Sequence, residues 1–120
     1  MPQKCILLVE DGVQYLVHWK RELEDDGYEV FCAENIPDAL ALFPTKQWAA
    51  IAVDGCIGGD EFNSPPLIKK FKAESQPGCP IIAASRSEEL REMMVAAGCT
   101  HEARKKDHVP GLIDHILKRQ

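Results

Sequence analysis

The run Ala49–Val53 is the feature of this sequence that most restricts its fold. Five apolar residues follow one another without a polar interruption, and Asp54 comes directly after them. A strand with one face in solvent would alternate apolar and polar residues, and this run does not alternate. It is typical of a central parallel strand that is covered on both faces. The run therefore predicts a sheet between two helical layers, with a carboxylate at the end of its central strand.

The rest of the chain alternates strand-like and helical segments. Short apolar or β-branched runs occur at 5–9, 28–33, 49–54, 80–84 and 99–104, and helical patterns follow at 12–26, 35–43, from 64, at 88–97 and at 109–118. Such alternation predicts parallel strands that are joined by right-handed crossovers, which is an α/β fold with helices on both faces. The second strand contains a glutamate and the fifth is polar, so both are expected at edges. No linker or repeat interrupts the pattern, and we expect a single domain over residues 1–120.

Composition excludes several classes of function. The chain has 120 residues and a net charge of −5, which argues against broad binding to nucleic acid or anionic membranes. No apolar run approaches the roughly 20 residues of a membrane span. The five cysteines are odd in number, widely spread and without a CxxC pair. A disulfide framework or a zinc site is therefore not expected, and the cytoplasm is the expected location.

The predicted strand ends carry the residues with chemical potential. Ligands of such sheets bind at the carboxyl ends of the strands. The first strand ends in Glu10 and Asp11, the third in Asp54, the fourth in Ser85 and the fifth in Arg104–Lys106. Three carboxylates repel one another unless a cation offsets them, and hard oxygen ligands suit Mg²⁺. A carboxylate can also act as a nucleophile, and a lysine can balance an incoming phosphoryl group. These residues outline a phosphoryl-transfer site.

Several segments resemble the receiver domain of two-component response regulators. The opening Cys5–Asp11 is similar to the start of that family, and Asp54 matches its phosphoacceptor. Pro80–Ser85 matches the strand that ends in a switch Ser or Thr, and Ala96–Cys99 matches the stretch that leads to the family's lysine, placed at Lys105. Shorter matches lie at 27–30 and 38–40. The segments occur in the family's order across almost the whole chain.

The resemblance implies a fold and a set of roles. The fold would be doubly wound and flavodoxin-like, with five parallel strands in the order 2-1-3-4-5. Asp54 would accept the phosphoryl group, and Ser85 and Lys105 would contact it. The cofactor would be Mg²⁺, and its expected protein ligands are Glu10, Asp11, Asp54 and the backbone carbonyl of Cys56.

The resemblance also implies partners. A histidine kinase or phosphotransfer protein would donate the phosphoryl group. The face formed by helix 4, strand 5 and helix 5 would then change its affinity for a downstream protein. We expect no direct contact with nucleic acid or membrane, and a monomer or weak dimer. The only chemistry expected is self-phosphorylation and slow autodephosphorylation, so the chain is not expected to be an enzyme. It would be a stand-alone receiver, or a piece of a longer regulator or hybrid kinase.

The loop after Asp54 departs from the family pattern. The family usually continues with a Met-Pro pair, whereas this chain has Gly55-Cys56-Ile57-Gly58-Gly59. Glycine has more backbone freedom to lose on ordering, so the glycine pair predicts a more mobile loop.

Three further departures lie near the expected site. Arg86 replaces a small residue, and it would either shield the site or hold phosphoryl oxygens in a bidentate fork. Glu102 replaces a switch aromatic, and a carboxylate in an apolar pocket would have a large desolvation cost. Lys106 replaces a proline that follows a cis bond. A non-proline cis bond costs about 2.5–4 kcal/mol, which predicts either a trans bond with a shifted loop or a cis bond held by packing.

Two functions remain in competition. The leading hypothesis is a receiver that is phosphorylated on Asp54 with Mg²⁺. The alternative is a degenerate receiver that acts as a phosphorylation-independent protein-interaction module, as Arg86, Glu102 and Lys106 suggest. A phosphatase or phosphotransferase acting on a metabolite would need an acid/base residue and a substrate pocket, and the sequence shows neither.

Overall fold

A five-stranded parallel sheet forms the centre of the protein. The computed structural model describes residues 3–120. The strands are β1 (Cys5–Val9), β2 (Glu29–Ala33), β3 (Trp48–Val53), β4 (Ile81–Ala83) and β5 (His101–Glu102). They lie in the order β2-β1-β3-β4-β5, and every neighbouring pair is parallel. The predicted fold class and strand order are confirmed.

Five helices connect and cover the strands. They are α1 (Val13–Asp25), α2 (Ile36–Leu42), α3 (Pro65–Glu74), α4 (Glu88–Ala97) and α5 (Val109–Lys118), with single 3₁₀ turns at Phe43–Thr45 and Lys106–His108. None of the helices within residues 3–120 is long and apolar enough to cross a bilayer. The predicted segments agree with these bounds to within a few residues, except at the fifth strand. It was expected over 99–104, but only two residues pair with β4 there.

The core has two halves, one on each face of the sheet. Alternate residues of β1 and β3 point to opposite faces, so each of these strands contributes to both halves. One half packs Ile6, Leu8, Ala50 and Ala52 against α1 and α5, and the other packs Leu7, Val9, Ile51 and Val53 against α2, α3 and α4. This two-sided burial is the reason that the run before Asp54 has no polar residue.

Side chains cap the start of two helices, α2 and α4, but not that of α3. The Asn35 side chain accepts a hydrogen bond from the Asp38 N–H at 2.8 Å, and the Ser87 hydroxyl accepts one from the Leu90 N–H at 3.2 Å. Ser64 precedes α3, yet its buried hydroxyl has no hydrogen-bond partner among residues 3–120. A side-chain cap needs an extended backbone at the capping residue. The backbone of Ser64 is instead helical (φ −78°, ψ −24°). The Ser64 side chain therefore does not cap α3, although serine is among the residues that commonly do so.

Gly98, which follows α4, has a backbone conformation that we expect only glycine to adopt without strain. Its φ is +137°, and an added Cβ would lie 3.0 Å from the Lys72 Cβ on α3. We expect Gly98→Ala to lower the free energy of unfolding by about 1–2 kcal/mol, because strain and contact act together. Gly111→Ala is the matched control, since a Cβ there meets nothing within 4 Å. It should stabilise α5 by about 0.5–1 kcal/mol. Urea unfolding measures the free energy of unfolding of both variants and of the wild type. A Gly98→Ala protein as stable as the wild type would contradict the prediction.

Candidate functional site

The ends of β1 and β3 bring three carboxylates together. Val9 pairs with Val53, and the Asp54 N–H donates to the Val9 carbonyl at 2.9 Å. The next residues of β1, Glu10 and Asp11, therefore lie beside Asp54. One carboxylate oxygen from each of the three lies within 4.8 Å of the others. The predicted convergence of Glu10, Asp11 and Asp54 is present in the structure.

Burial makes this cluster electrostatically unfavourable. Glu10 is 1% exposed and Asp54 is 7% exposed, whereas Asp11 is exposed. Burial raises the pKa of Glu10 to about 7, although hydrogen bonds from Lys106 and the Gly12 N–H oppose the shift. Burial likewise raises the pKa of Asp54. A divalent cation would relieve the repulsion, and three hard oxygen donors fit Mg²⁺. Glu10, Asp11 and Asp54 are the residues that would hold it.

Lys106 provides the positive charge within the cluster. Its Nζ lies 2.5 Å from Glu10 Oε1, 3.3 Å from Asp54 Oδ1 and 4.7 Å from the centroid of the Tyr15 ring. Burial lowers the pKa of Lys106, but the hydrogen bond to Glu10 and the charge of Asp54 outweigh it, so the pKa is raised. The ammonium group therefore stays charged at neutral pH.

The lysine that contacts the carboxylates is Lys106, whereas the spacing of the sequence favours Lys105. Lys105 is exposed and has an extended backbone (φ −126°, ψ 141°). Successive side chains of extended backbone point to opposite sides, so only one of the two lysines can enter the pocket. The Trp19 indole N–H donates to the Lys106 carbonyl at 2.9 Å and selects Lys106. No cis peptide bond occurs in residues 3–120. The bond before Lys106 is therefore trans.

Ser85 lies against the residue that follows Asp54. A Cβ on Gly55 would be 3.6 Å from the Ser85 Cβ, and Ser85 is buried. The Ser85 Oγ accepts a hydrogen bond from the Ser87 N–H at 3.2 Å. A hydroxyl that accepts at one lone pair can still donate its proton. The position suits a donor to an oxygen bound at Asp54.

A basic cleft opens beside the carboxylates. It has a volume of about 380 Å³, and its lining residues are Tyr15, Arg86, Arg104, Lys105, Lys106 and Asp107. Arg86 and Lys105 are exposed, and within residues 3–120 neither takes part in a salt bridge. Arg86 thus lies at the rim of this cleft rather than over the acidic pocket. The cleft gives an anion a positively charged approach to Lys106 in a protein that is acidic overall.

Asn63 holds the loop after Asp54 in place, and this role was not predicted from the sequence. Its side chain accepts from the Ile57 N–H at 2.8 Å and donates to the Ile57 carbonyl at 2.7 Å. Ile57 is buried in the core. Gly58, with φ +81°, follows directly, and the predicted mobility therefore concerns the exposed residues 58–61. An asparagine in a loop is common, and no sequence pattern marks this one.

The surroundings of Cys56 and Glu102 bear on two further expectations from the sequence. Cys56 is partly buried, and burial raises the pKa of its thiol, so the thiolate that redox chemistry needs is disfavoured. Its expected role as a carbonyl ligand stays a prediction. Glu102 is not in an apolar pocket: its carboxylate is exposed and accepts a hydrogen bond from the Arg91 Nε–H at 2.9 Å.

The sheet order and the acidic rim together define a receiver-type domain, and comparison with solved structures agrees. A receiver domain protein from Methanospirillum hungatei has 23% identity and a TM-score of 0.79 over 98% of this chain and 96% of its own. The response regulator TrrA from Thermotoga maritima, solved in complex with Mg²⁺-BeF, has 22% identity and a TM-score of 0.79 over 98% and 100% of the two chains. These likenesses confirm the receiver fold that the sequence motifs indicated.

One curated relative is similar in sequence. The transcriptional regulatory protein CrdR of Helicobacter pylori is 34% identical over 80 residues, which are 67% of this chain and 37% of CrdR. The chain therefore matches little more than a third of that relative's length. No protein-family model matches the chain.

The buried charge of Asp54 should reduce stability when no cation is present. The raised pKa values of Glu10 and Asp54 mean that the folded protein binds more protons than the unfolded chain, so stability falls as pH rises through the range in which each group titrates, which for Glu10 ends at about 7. At pH 8 without Mg²⁺, Asp54→Asn should raise the free energy of unfolding by roughly 1–2 kcal/mol. The gain should shrink toward pH 5.

Urea unfolding at the two pH values measures this difference. Asp60→Asn is the control, because Asp60 is exposed in the same loop and should change stability by less than about 0.5 kcal/mol. A loss of stability in Asp54→Asn at pH 8 would contradict the electrostatic account.

Proposed function

We propose that this protein is a phosphoacceptor receiver in two-component signalling, which takes a phosphoryl group on Asp54 with Mg²⁺ bound by Glu10, Asp11, Asp54 and the Cys56 carbonyl. One observation carries the proposal. Three carboxylates converge within 4.8 Å, and a lysine whose side chain is 11% exposed contacts two of them. A site built only for stability would more simply use apolar residues, because buried charges carry a desolvation cost.

The hydrogen bonds at Asp54 suggest which oxygen reacts. The Gly55 N–H donates to Oδ1 at 2.8 Å, and Lys106 Nζ lies 3.3 Å from the same oxygen. Among residues 3–120, no hydrogen bond to Oδ2 is present. Oδ2 would attack phosphorus, forming the new O–P bond while the bond to the donor's leaving group breaks and its electron pair departs with that group. Mg²⁺ would supply positive charge for the phosphoryl oxygens, and Lys106 and the Ser85 hydroxyl would contact them.

The surface around the site suggests how a donor protein would approach. α1 starts two residues after Asp11 and exposes an apolar pair, Val13 (56% exposed) and Val17 (53% exposed). An exposed apolar pair beside a reactive carboxylate suits a protein partner, such as a histidine kinase or phosphotransfer protein. The basic cleft would attract the negatively charged phosphoryl group that this partner carries.

The output would be a change of protein contacts and not turnover of a metabolite. The face formed by α4, β5 and α5 carries Met93, an exposed apolar side chain, and would bind the downstream protein. The similarity to part of a transcriptional regulatory protein is compatible with a receiver that serves such a regulator. All five cysteines are free thiols, which suits a reducing compartment such as the cytoplasm.

The alternative, a degenerate receiver, also has a specific observation in its favour. Lys106 already pairs with Glu10 and Asp54, and Glu102 lies where the family has a switch aromatic. Such a protein would keep the fold and bind partners regardless of phosphorylation.

Phosphorylation separates the two functions. With Mg²⁺ and acetyl phosphate, the protein should gain the mass of one phosphoryl group, because Asp54 is a desolvated nucleophile next to a cation site. Intact-mass spectrometry measures the gain. Asp54→Asn should show none, and Asp60→Asn should behave as the wild type. Equal labelling of wild type and Asp54→Asn, or no labelling of either, would favour the degenerate receiver.

The two adjacent lysines offer a matched comparison. Lys106→Met should slow phosphorylation of Asp54 by about 10²-fold, as expected for loss of one preorganised charge at a transferring group. Lys105→Met should change the rate less than about threefold, since Lys105 is exposed and makes no salt bridge within residues 3–120. Rates of acetyl phosphate labelling measure both. A larger loss in Lys105→Met than in Lys106→Met would return the site lysine to position 105.

A further inference from the structure

Arg91 is a buried arginine that neither the site nor the core of the protein accounts for. It lies on α4 and is 6% exposed. Burial of a guanidinium group is unfavourable unless its N–H groups find acceptors. The groups that accept hydrogen bonds from Arg91 therefore indicate what its burial achieves.

Three groups accept hydrogen bonds from Arg91. Its Nε–H donates to the Glu102 carboxylate at 2.9 Å, and its Nη1 donates to the Ser85 carbonyl at 2.8 Å and to the Arg104 carbonyl at 3.5 Å. The acceptors belong to two separate segments: Ser85 lies in the loop after β4, whereas Glu102 ends β5 and Arg104 lies in the connection from β5 to α5. One planar guanidinium thus bridges both segments from α4.

Each bridged segment carries a residue of the phosphoacceptor site. Ser85 follows the last residue of β4 by two positions, and Arg104 is two residues before Lys106. A guanidinium presents its N–H groups in a rigid fork, which fixes the separation of the groups that it binds. A lysine or glutamine at the same position would not span all three acceptors.

We propose that Arg91 is a positioning residue for phosphoryl transfer: it holds the Ser85 backbone and the loop leading to Lys106 at the separation at which both side chains contact one phosphoryl group, with Glu102 orienting the guanidinium. The inference rests on the proposed function, because it assigns Arg91 to that same site. It also gives a role to Glu102, for which the resemblance to receiver domains implies none.

The orienting role of Glu102 follows from its position at the edge of the sheet. Its side chain is 41% exposed, whereas that of Arg91 is 7% exposed. The partly solvated carboxylate balances the charge of the buried guanidinium and accepts its Nε–H. With a glutamine at 102, the two carbonyl contacts and an acceptor for the Nε–H would remain, but the negative charge that strengthens that hydrogen bond would be lost.

The test compares Arg91→Lys and Glu102→Gln with Glu92→Gln. Glu92 is an exposed neighbour on α4 without a salt bridge within residues 3–120, so its variant removes the same charge as Glu102→Gln. Rates of Asp54 labelling by acetyl phosphate and the Mg²⁺ dissociation constant are measured for all three. We expect the labelling rate to fall about tenfold in Arg91→Lys and several-fold in Glu102→Gln. Glu92→Gln should match the wild type.

The Mg²⁺ dissociation constant separates positioning from damage to the whole site. Arg91 contacts none of Glu10, Asp11 or Asp54, so Mg²⁺ affinity should stay within about twofold in every variant. Equal loss of labelling rate and Mg²⁺ affinity would indicate a general structural role and overturn the proposal. An unchanged labelling rate in a folded Arg91→Lys protein would overturn it as well.

A second readout does not depend on phosphorylation. In nuclear magnetic resonance spectra, Arg91→Lys and Glu102→Gln should shift the amide signals of residues 85–87 and the side-chain signals of Lys106, while Glu92→Gln should not. If the wild type is never labelled but these shifts occur, the proposed function fails and the coupling through Arg91 stands. If labelling occurs without the shifts, the proposal about Arg91 fails alone. Glu102→Gln decides the matter should Arg91→Lys not fold.

Discussion

The burial of two neighbouring carboxylates, to which their mutual repulsion adds and which Lys106 partly offsets, is the constraint on which the rest of the site depends. Glu10 and Asp54 are almost fully buried, and burial raises the pKa of each. The protein cannot move them apart, because the paired ends of β1 and β3 hold their backbones side by side. One lysine cannot neutralise three carboxylates. Negative charge therefore remains at this rim, and a bound metal cation would stabilise it.

The placement of Lys106 shows how distant parts of the chain meet this demand. Its ammonium faces Glu10 and Asp54, its carbonyl accepts a hydrogen bond from Trp19, and the Tyr15 ring lies beneath its charge. Both aromatic residues belong to α1, which is almost 90 residues away in sequence. The buried Trp19 would lose a hydrogen bond if the loop moved by one residue. That contact holds the backbone at the position where the family usually has a proline.

The site also has a rigid frame on its other sides. Asn63 fastens the start of the loop after Asp54 through two hydrogen bonds to Ile57, and Arg91 bridges the segments that carry Ser85 and Lys106. Neither residue reaches the carboxylates. Asn63 holds the Ile57 backbone three residues after Asp54, and Arg91 holds the backbone of Ser85 and that of Arg104, two residues before Lys106. The departures from the usual receiver sequence are in this way accompanied by contacts that can fix the same backbone positions.

The sequence by itself determined the fold and the acidic half of the site. An apolar run buried on both faces requires a parallel sheet, and parallel strands bring their carboxyl ends to one edge, so Glu10, Asp11, Asp54 and Ser85 could be placed from strand endings alone. Only the tertiary structure decided which lysine enters the site, that Ser64 leaves its helix uncapped, and that Arg91 and Asn63 support the loops. Those outcomes depend on contacts between residues far apart in the chain. Periodicity and spacing describe neighbours along the chain, and they carry no information about which distant group a side chain will meet.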